Sequence, residues 1–288
     1  MKTRSISARS FFTIASAILC LTFAAQAFGQ EKISTTDADK AAFVKIMSQL
    51  ETENQTSVAD RMVKVAKLRL GTPYVASTLE KEPERLVIDI VETDCILYVE
   101  SNLAMALTVS KDFNDFADNI LRLRYRNGVV DGYASRIHYT SEWLLQAAGR
   151  GLLEEITEKI GGQRLDQSFS YMSTHPQSYK QLKNNPSEVA RIAAAEAELN
   201  KHDYYVIPKA RIPELASQIK DGDIICFIGS TKGLDITHVA IALWNNGKLT
   251  FMHASPKYGK AVIEPSGLAG YCNSIKSNVG IRVARLRY

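Results

Sequence analysis

The chain changes its hydrophobic rhythm late. Up to about residue 215 apolar residues recur mostly at helical spacing, and from Asp221 they fall into short alternating runs. The early period predicts helices in "DADKAAFVKIMSQLE" and "SVADRMVKVAKLRLG", with Ser57 as a cap and Gly71 as a stop. "GTPYVAS" reads as a turn and "ERLVIDIVET" as β-rich. Thr93 and Asp94 are N-cap types, and "CILYVESNLAMALTV" continues as helix with Leu97, Ser101, Ala104 and Leu107 on one packed face. Residues 111–215 read as a long, mostly helical middle. In it, "DFNDFADNILRLRYRNG" is closed by Asn127–Gly128 and "TSEWLLQAAGRG" is opened by Thr140 or Ser141. "NPSEVARIAAAEAELNKH" is opened by its Pro and Ser. After Asp221 the runs "DIICFIG", "HVAIALW", "KLTFMHAS", "AVIEP" and "GIRVARLRY" predict strands, while "GLAGYCNSIKS" reads as a loop. Helices first and antiparallel strands later predict an α+β fold with helices on one side of a sheet.

Two segments lie outside that pattern. Lys2, Arg4 and Arg9, the apolar run "FFTIASAILCLTFAA" and "AQA" at Ala25 to Ala27 predict a signal peptide over residues 1–27, leaving 28–288 as the mature domain. A retained amphipathic anchor is the alternative. The run is short of the ~20 apolar residues of a membrane span, so stable membrane insertion after cleavage is not expected. Residues 28–36 read as a polar leader.

Composition narrows the class. The 288 residues are 45% hydrophobic and 23% charged, which suits one large globular domain or two small ones. Residues 1–27 hold three positive charges and no negative ones, so their removal lowers the formal charge from +4 to +1. No basic stripe with interleaved aromatics occurs, and nucleic acid is not an expected partner. Three cysteines then remain, Cys95, Cys226 and Cys272, and an odd number leaves at least one thiol free. Cys226 reads as strand core, Cys272 as a loop residue, and pairing between them stays open.

Cys95 at a helix start is either a small buried residue or a nucleophile. A cysteine hydrolase needs a thiolate, a histidine to take its proton and a polar group to orient that histidine. A helix N-terminus favours the thiolate and is expected to lower its pKa. Of five histidines, His138, His175, His202, His238 and His253, two lie in the strand region around the Asn–Gly turn of "WNNGKL". If Asn246 and Gly247 are the two turn residues, Asn245 faces Lys248 and His253 faces Ala240. His238 and His253 then share a face as diagonal neighbours, whereas a three-residue loop would put them on opposite faces. Ala240 and Ala242 on that face are expected to leave room for the approaching helix N-terminus. Two structural histidines are the bland alternative; a metal site lacks further ligands at suitable spacing. His175 and His202, in polar surroundings, read as surface residues.

At this point "LGTPY" (Leu70–Tyr74), "DC" (Asp94–Cys95), "GDIICF" (Gly222–Phe227), "THVAIAL" (Thr237–Leu243) and "MHAS" (Met252–Ser255) stand in an order that resembles the NlpC-type cell-wall hydrolases, a papain-like superfamily. The resemblance covers roughly residues 60–110 and 220–265. It implies a papain-like fold, Cys95 as nucleophile, His238 as base and His253 as its orienting partner, with no cofactor and no metal. The long connection from about Thr108 to Lys220, with "TDC…YVE" and "RIHYTSEW" (Arg136–Trp143), is similar to a divergent N-acetylmuramoyl-L-alanine amidase-like branch. That likeness implies a periplasmic or secreted enzyme that cuts the muramic acid–L-Ala amide of peptidoglycan fragments (muropeptides). A γ-D-glutamyl-diaminopimelate endopeptidase and a non-catalytic secreted binding module of the same fold are the alternatives. Arg136, His138 and Tyr139 are candidate substrate contacts, as is Tyr74, which the resemblance puts in the cleft. Asp94 is a helix cap first and a substrate contact second. Trp143 is expected in the core.

Overall fold

A computed structural model describes residues 33–50, 57–110 and 112–287. The signal-peptide expectation falls on residues 1–27, outside the described residues. A short parallel pair, β1 (Ile33–Ser34) with β2 (Leu86–Val87), opens the fold. The expected polar leader thus ends in a strand. Only two residues of the β-rich "ERLVIDIVET" are strand, although Leu86, Val87, Ile88 and Ile90 are all buried.

Helices α1 (Asp37–Leu50) and α2 (Val58–Leu68) lie where the periodicity predicts them. Ser57 caps α2 by accepting the Asp60 N–H, and Gly71 beyond its end takes a positive φ of 90°. Helix α3 (Cys95–Leu107) is capped by Asp94, whose Oδ1 accepts the Leu97 N–H at 2.9 Å. It is buried nearly all round, which marks it as the central helix of the core. Helix α4 (Phe113–Arg124) follows; beyond it Asn127 and Gly128 both take positive φ.

Helix α5 (Thr140–Gly149) has Tyr139 at its N-cap position, with no side-chain cap bond from its own first residues. The two expected caps, Thr140 and Ser141, both lie inside the helix, and the N–H and Oγ of Ser141 both donate to Asp235, at 2.6 and 2.5 Å. A carboxylate almost a hundred residues downstream therefore does the capping, which no local pattern can show.

The middle is less helical than its periodicity implies. It holds α6 (Tyr171–Thr174), α7 (Pro186–Leu199) and α8 (Ile212–Leu215), but also β3 (Leu153–Glu155), β4 (Gln163–Leu165) and β5 (Tyr204–Pro208). These three strands join the sheet made by β6 (Ile224–Gly229), β7 (Ile236–Asn245), β8 (Lys248–Ser255), β9 (Lys260–Ile263) and β10 (Asn278–Leu286). The order is β4-β5-β10-β6-β7-β8-β9, with β3 also on β10, and every pair in this sheet is antiparallel. A helical insertion over 111–215 is therefore corrected to a mixed one that widens the sheet. The reason is length: strands of three to five residues carry too little alternation to read against neighbouring helices. The expected loop around Cys272 is also corrected, to helix α9 (Gly267–Ser274).

The result is a mixed α+β fold with helices on both faces of an antiparallel sheet. Val239, Ile241 and Leu243 of β7 join the main core with α3, while Ala240, Ala242, Phe227 and Phe251 pack under α9 with Leu268 and Cys272. A third cluster, around Tyr139, Phe169 and Tyr204, belongs to the middle segment. Cys95, Cys226 and Cys272 are all free thiols, which closes the question of a Cys226–Cys272 bridge. Among the described residues no helix is long and apolar enough to cross a membrane.

Candidate active site

The β7–β8 hairpin is the frame of the site. Asn246 and Gly247 take positive φ of 50° and 76°, and Asn245 pairs with Lys248. This is the two-residue turn that the Asn–Gly dipeptide favours, because both positions need φ above zero. The register runs back to Ile241↔Met252, so His253 continues it opposite Ala240. His238 and His253 fall on one face, and His238 Nε2 lies 2.7 Å from His253 Nδ1. The rings meet nearly edge to face, at an interplanar angle of 87°. That distance leaves no room for a metal ion between them. Among the described residues no group of three or more potential ligands is suited to one.

Cys95 comes to this hairpin from the other side. The expectation that Ala240 and Ala242 make room for the helix is overturned: aromatic rings and α9 fill that face, and α3 packs on the Val239 face. The approach is at the seam between β7 and β8 instead. Ala242 bonds toward β6, its N–H to Asp223 O at 2.8 Å, so strand alternation directs the Val239 N–H toward β8. The ladder to β8 ends at Ile241↔Met252, and the Val239 N–H lies near enough to the Cys95 thiol to pull its pKa down. The thiol thus lies beside the residue that follows His238.

The segment "GTPY" holds that position. Thr93 N–H donates to Pro73 O at 3.0 Å, Val75 N–H to Thr93 O at 3.0 Å, and Gly71 N–H to Ala261 O at 2.9 Å. The start of α3 is thereby tied to β9. Tyr74 is half-buried, and its hydroxyl pKa is raised by burial and by the nearby Cys95 and Asp94.

Electrostatics work against a preformed ion pair. The N–H groups of Val239, Ile96 and Cys95 pull the thiol pKa down, but burial and the Asp94 carboxylate push harder, up to about 12. Burial pushes His238 down to about 3, with His253 adding to the effect, and His253 down to about 4. The expected lowering of the Cys95 pKa is therefore corrected. In these shifts desolvation outweighs the helix N-terminus, although Cys95 and His238 are each only half-buried.

Beside the start of α3 lies a cavity of about 260 Å³ lined by Asp94, Ile96, Glu80, Arg136, His138 and Trp143 among others; Cys95, Tyr74 and the two histidines of the hairpin are not in its lining. Arg136 is buried against Glu80 at 2.9 Å and Glu84 at 3.3 Å. His138 stacks on Tyr133 with ring centroids 4.2 Å apart, and its Nε2 lies 2.9 Å from Tyr133 O. Burial and Arg136 keep it neutral, with a pKa lowered to about 3. Tyr139 lines the same cavity, but its hydroxyl is turned away. It donates to Glu196 at 2.6 Å and accepts the Met172 N–H at 3.1 Å. Trp143 belongs to the main core as well as to the cavity wall. A larger hollow of 770 Å³, between α7 and residues 126–135, is lined by neither Cys95 nor its neighbours Asp94 and Ile96. His175 and His202 are exposed.

Two residues of the site escape a reading of the sequence. Tyr271, on α9, has its ring centroid 6.0 Å from His238 and 5.6 Å from His253. Glu264 is buried, with Oε2 3.5 Å from His253 Nε2. Val262 pairs with His253, so Glu264, two residues on, shares its side of the sheet. The same parity argument that pairs the histidines would reach Glu264. However, the connection "PKYG" between β8 and β9 lacks the signature that sets a register.

Relatives share this arrangement of chain. A Bacteroides uniformis structure described as an N-acetylmuramoyl-L-alanine amidase is 40% identical. It covers 80% of this chain and 99% of its own, with a TM-score of 0.76. A Bacteroides fragilis structure described provisionally as a xylanase is 42% identical, covering 76% and 98%, with a TM-score of 0.73. A Legionella pneumophila protein is 26% identical, covering 88% and 95%, with a TM-score of 0.69. No curated protein matches the sequence. A family model described as AmiA-like, N-acetylmuramoyl-L-alanine amidase-like, matches residues 64–281, from α2 to β10 and so across Cys95 and both histidines. The chain belongs to this AmiA-like amidase family.

Proposed function

We propose that this chain is an exported cysteine amidase of papain-like, NlpC-type descent that hydrolyses the muramic acid–L-Ala amide of muropeptides. The observation that carries the chemistry is the His238–His253 contact of 2.7 Å beside the Val239 N–H that faces Cys95. Family membership supports the substrate, and the basic, apolar and A-x-A segments of residues 1–27 support export to a periplasm or the medium.

His238 Nε2 is engaged by His253, which leaves Nδ1 as the ring nitrogen that can accept a proton. In the proposed reaction the Cys95 proton passes to Nδ1 as sulfur attacks the lactyl carbonyl carbon. Because burial holds both partners neutral at rest, transfer accompanies attack instead of preceding it. Backbone N–H groups at the start of α3 then hold the oxyanion. His238 returns the proton to the departing L-Ala nitrogen, leaving a thioester at Cys95. It next takes a proton from water, and hydrolysis frees the lactyl acid and the thiol. Asp94, Arg136 and His138 in the 260 Å³ cavity are the polar contacts offered to substrate, with Tyr74 on the Cys95 side. Tyr139 contributes its ring to the wall, since its hydroxyl is already bonded.

The test is product analysis by mass on disaccharide-peptide fragments. Free disaccharide plus intact stem peptide is the expected result. Release of L-Ala-D-Glu would overturn the bond assignment in favour of the endopeptidase.

A further inference from the structure

The carboxylate behind the histidine pair has no place in the three-residue site just described. Glu264 is buried, and its two oxygens differ. Oε1 accepts both the N–H and the hydroxyl of Ser266, at 3.0 and 2.6 Å. Oε2 is turned to His253 Nε2 at 3.5 Å. That ring nitrogen is fully buried and has no hydrogen-bond partner. The ring is otherwise walled by Phe251, with centroids 4.8 Å apart, by Tyr271 and by His238. None of these takes a hydrogen bond from Nε2.

Hydrogen-bond bookkeeping along the row gives the direction. If His238 Nδ1 is to accept the thiol proton, His238 Nε2 must carry hydrogen and donate to His253 Nδ1. His253 Nδ1 is then an acceptor, so its proton must sit on Nε2, facing Glu264. A carboxylate only accepts there, and it favours the positive charge that His238 acquires when it takes a proton. With its proton on Nδ1, His253 would point the Nε2 lone pair at a carboxylate; its Nδ1–H would then either meet the N–H of His238 Nε2 or, with His238 reversed as well, leave His238 Nδ1 protonated and unable to take the thiol proton.

We propose that Glu264 is a positioning residue. Anchored by Ser266, it holds the proton of His253 on Nε2 and so turns the whole row, Glu264–His253–His238, toward accepting a proton from Cys95. This inference rests on the cysteine amidase reading for its catalytic consequence, but its structural half concerns the free protein.

The experiment has two arms on the full chain. Nitrogen-15 NMR of histidine-labelled protein is expected to show His253 protonated at Nε2 and bare at Nδ1, and His238 likewise. A proton on His253 Nδ1 would overturn the proposal. In the second arm Glu264→Gln keeps the size and removes the charge. On disaccharide-peptides kcat is expected to fall about tenfold or more with KM held within about twofold, as for loss of a group acting through a general base. A variant that melts earlier but keeps its kcat would show Glu264 to be structural only, and sinks the idea. If the unaltered protein releases no disaccharide, the amidase reading falls instead, while the NMR arm still decides the tautomer.

Discussion

The β7–β8 hairpin and the middle segment, residues 111–215, are built on different principles. The hairpin is local. One Asn–Gly turn sets the register, the register sets the face, and the face brings His238 to His253. The middle segment is held from a distance. Arg282 of β10, fully buried, donates to Glu155 at 2.7 and 2.6 Å, bonds Ser141 Oγ and lies over the Tyr204 ring with its guanidinium carbon 4.8 Å from the centroid. Asp235, just before β7, caps α5 through Ser141. So a local turn sets the pair's geometry, while long-range polar ties fix α5, whose Trp143 lines the cavity with Arg136 and His138. The two regions should therefore fail in different ways.

The sharpest break is at the turn. Inserting one glycine between Asn246 and Gly247 shifts the register by one residue and sends either His238 or His253 to the other face. On the proposed mechanism amidase activity is expected to fall at least about a thousandfold, comparable to Cys95→Ala, because members of one catalytic unit fail together. An inserted variant that keeps its rate would show that the turn does not govern the pair.

Breaking a distant tie should act on stability first. Arg282→Met leaves Glu155 and Asp235 without their buried cation, a loss of about 3–5 kcal/mol for removing one partner of a buried pair. Urea unfolding would measure it. Arg282 is anchored strongly enough that Glu155 and Asp235 hold its pKa above the usual arginine value despite burial. A shift below about 1 kcal/mol in the midpoint-derived stability would mean the middle segment is held by its apolar cluster alone.

A smaller effect is expected at the Asp94 cap. Asp94→Ala removes the bond to the Leu97 N–H and should cost about 1 kcal/mol. It also removes a carboxylate that raises the Cys95 pKa, so the thiol of the variant should titrate lower than in the parent. Asp94→Asn separates the two effects, since it keeps the cap and drops the charge. Thiol alkylation followed against pH reads the titration directly.

The smallest expected change is in the pH profile. His238 and His253 sit near 3 and 4, below the usual histidine value, so both stay neutral as pH falls through 6.5. The acid limb of kcat/KM should follow His238 and lie near pH 3 instead of 6.5, with less than about a twofold change between pH 6 and 8. Below the limb His238 carries a proton and can no longer take one from Cys95. A limb at 6.5 would show that water reaches the pair and that burial is not what sets its titration.

These contrasts explain what a reader of the sequence can and cannot see. The Asn–Gly turn, the alternation of β7 and β8, the Asp94 cap and the Ser57 cap are all written in residues within a few positions of each other. Trp143 is legible as core because a large aromatic beside a helix start is expected to pack inward. The strands β3, β4 and β5 are not legible, because each is too short to show a period and is specified by β10 and β5 beside it. The cap of α5 is not legible either, since Asp235 lies 94 residues from Ser141.

The sequence by itself determined the α+β class, the hairpin register and the shared face of His238 and His253, because turn chemistry and strand parity act over a few residues; Cys95 joined them as a candidate through the resemblance. Only the tertiary structure decided from which face α3 meets β7, that Glu264 and Tyr271 join the histidines, and that burial and Asp94 hold the thiol pKa up. Those outcomes depend on desolvation and on contacts between segments far apart in the chain. Burial is a property of everything packed around a group, and no local pattern carries it.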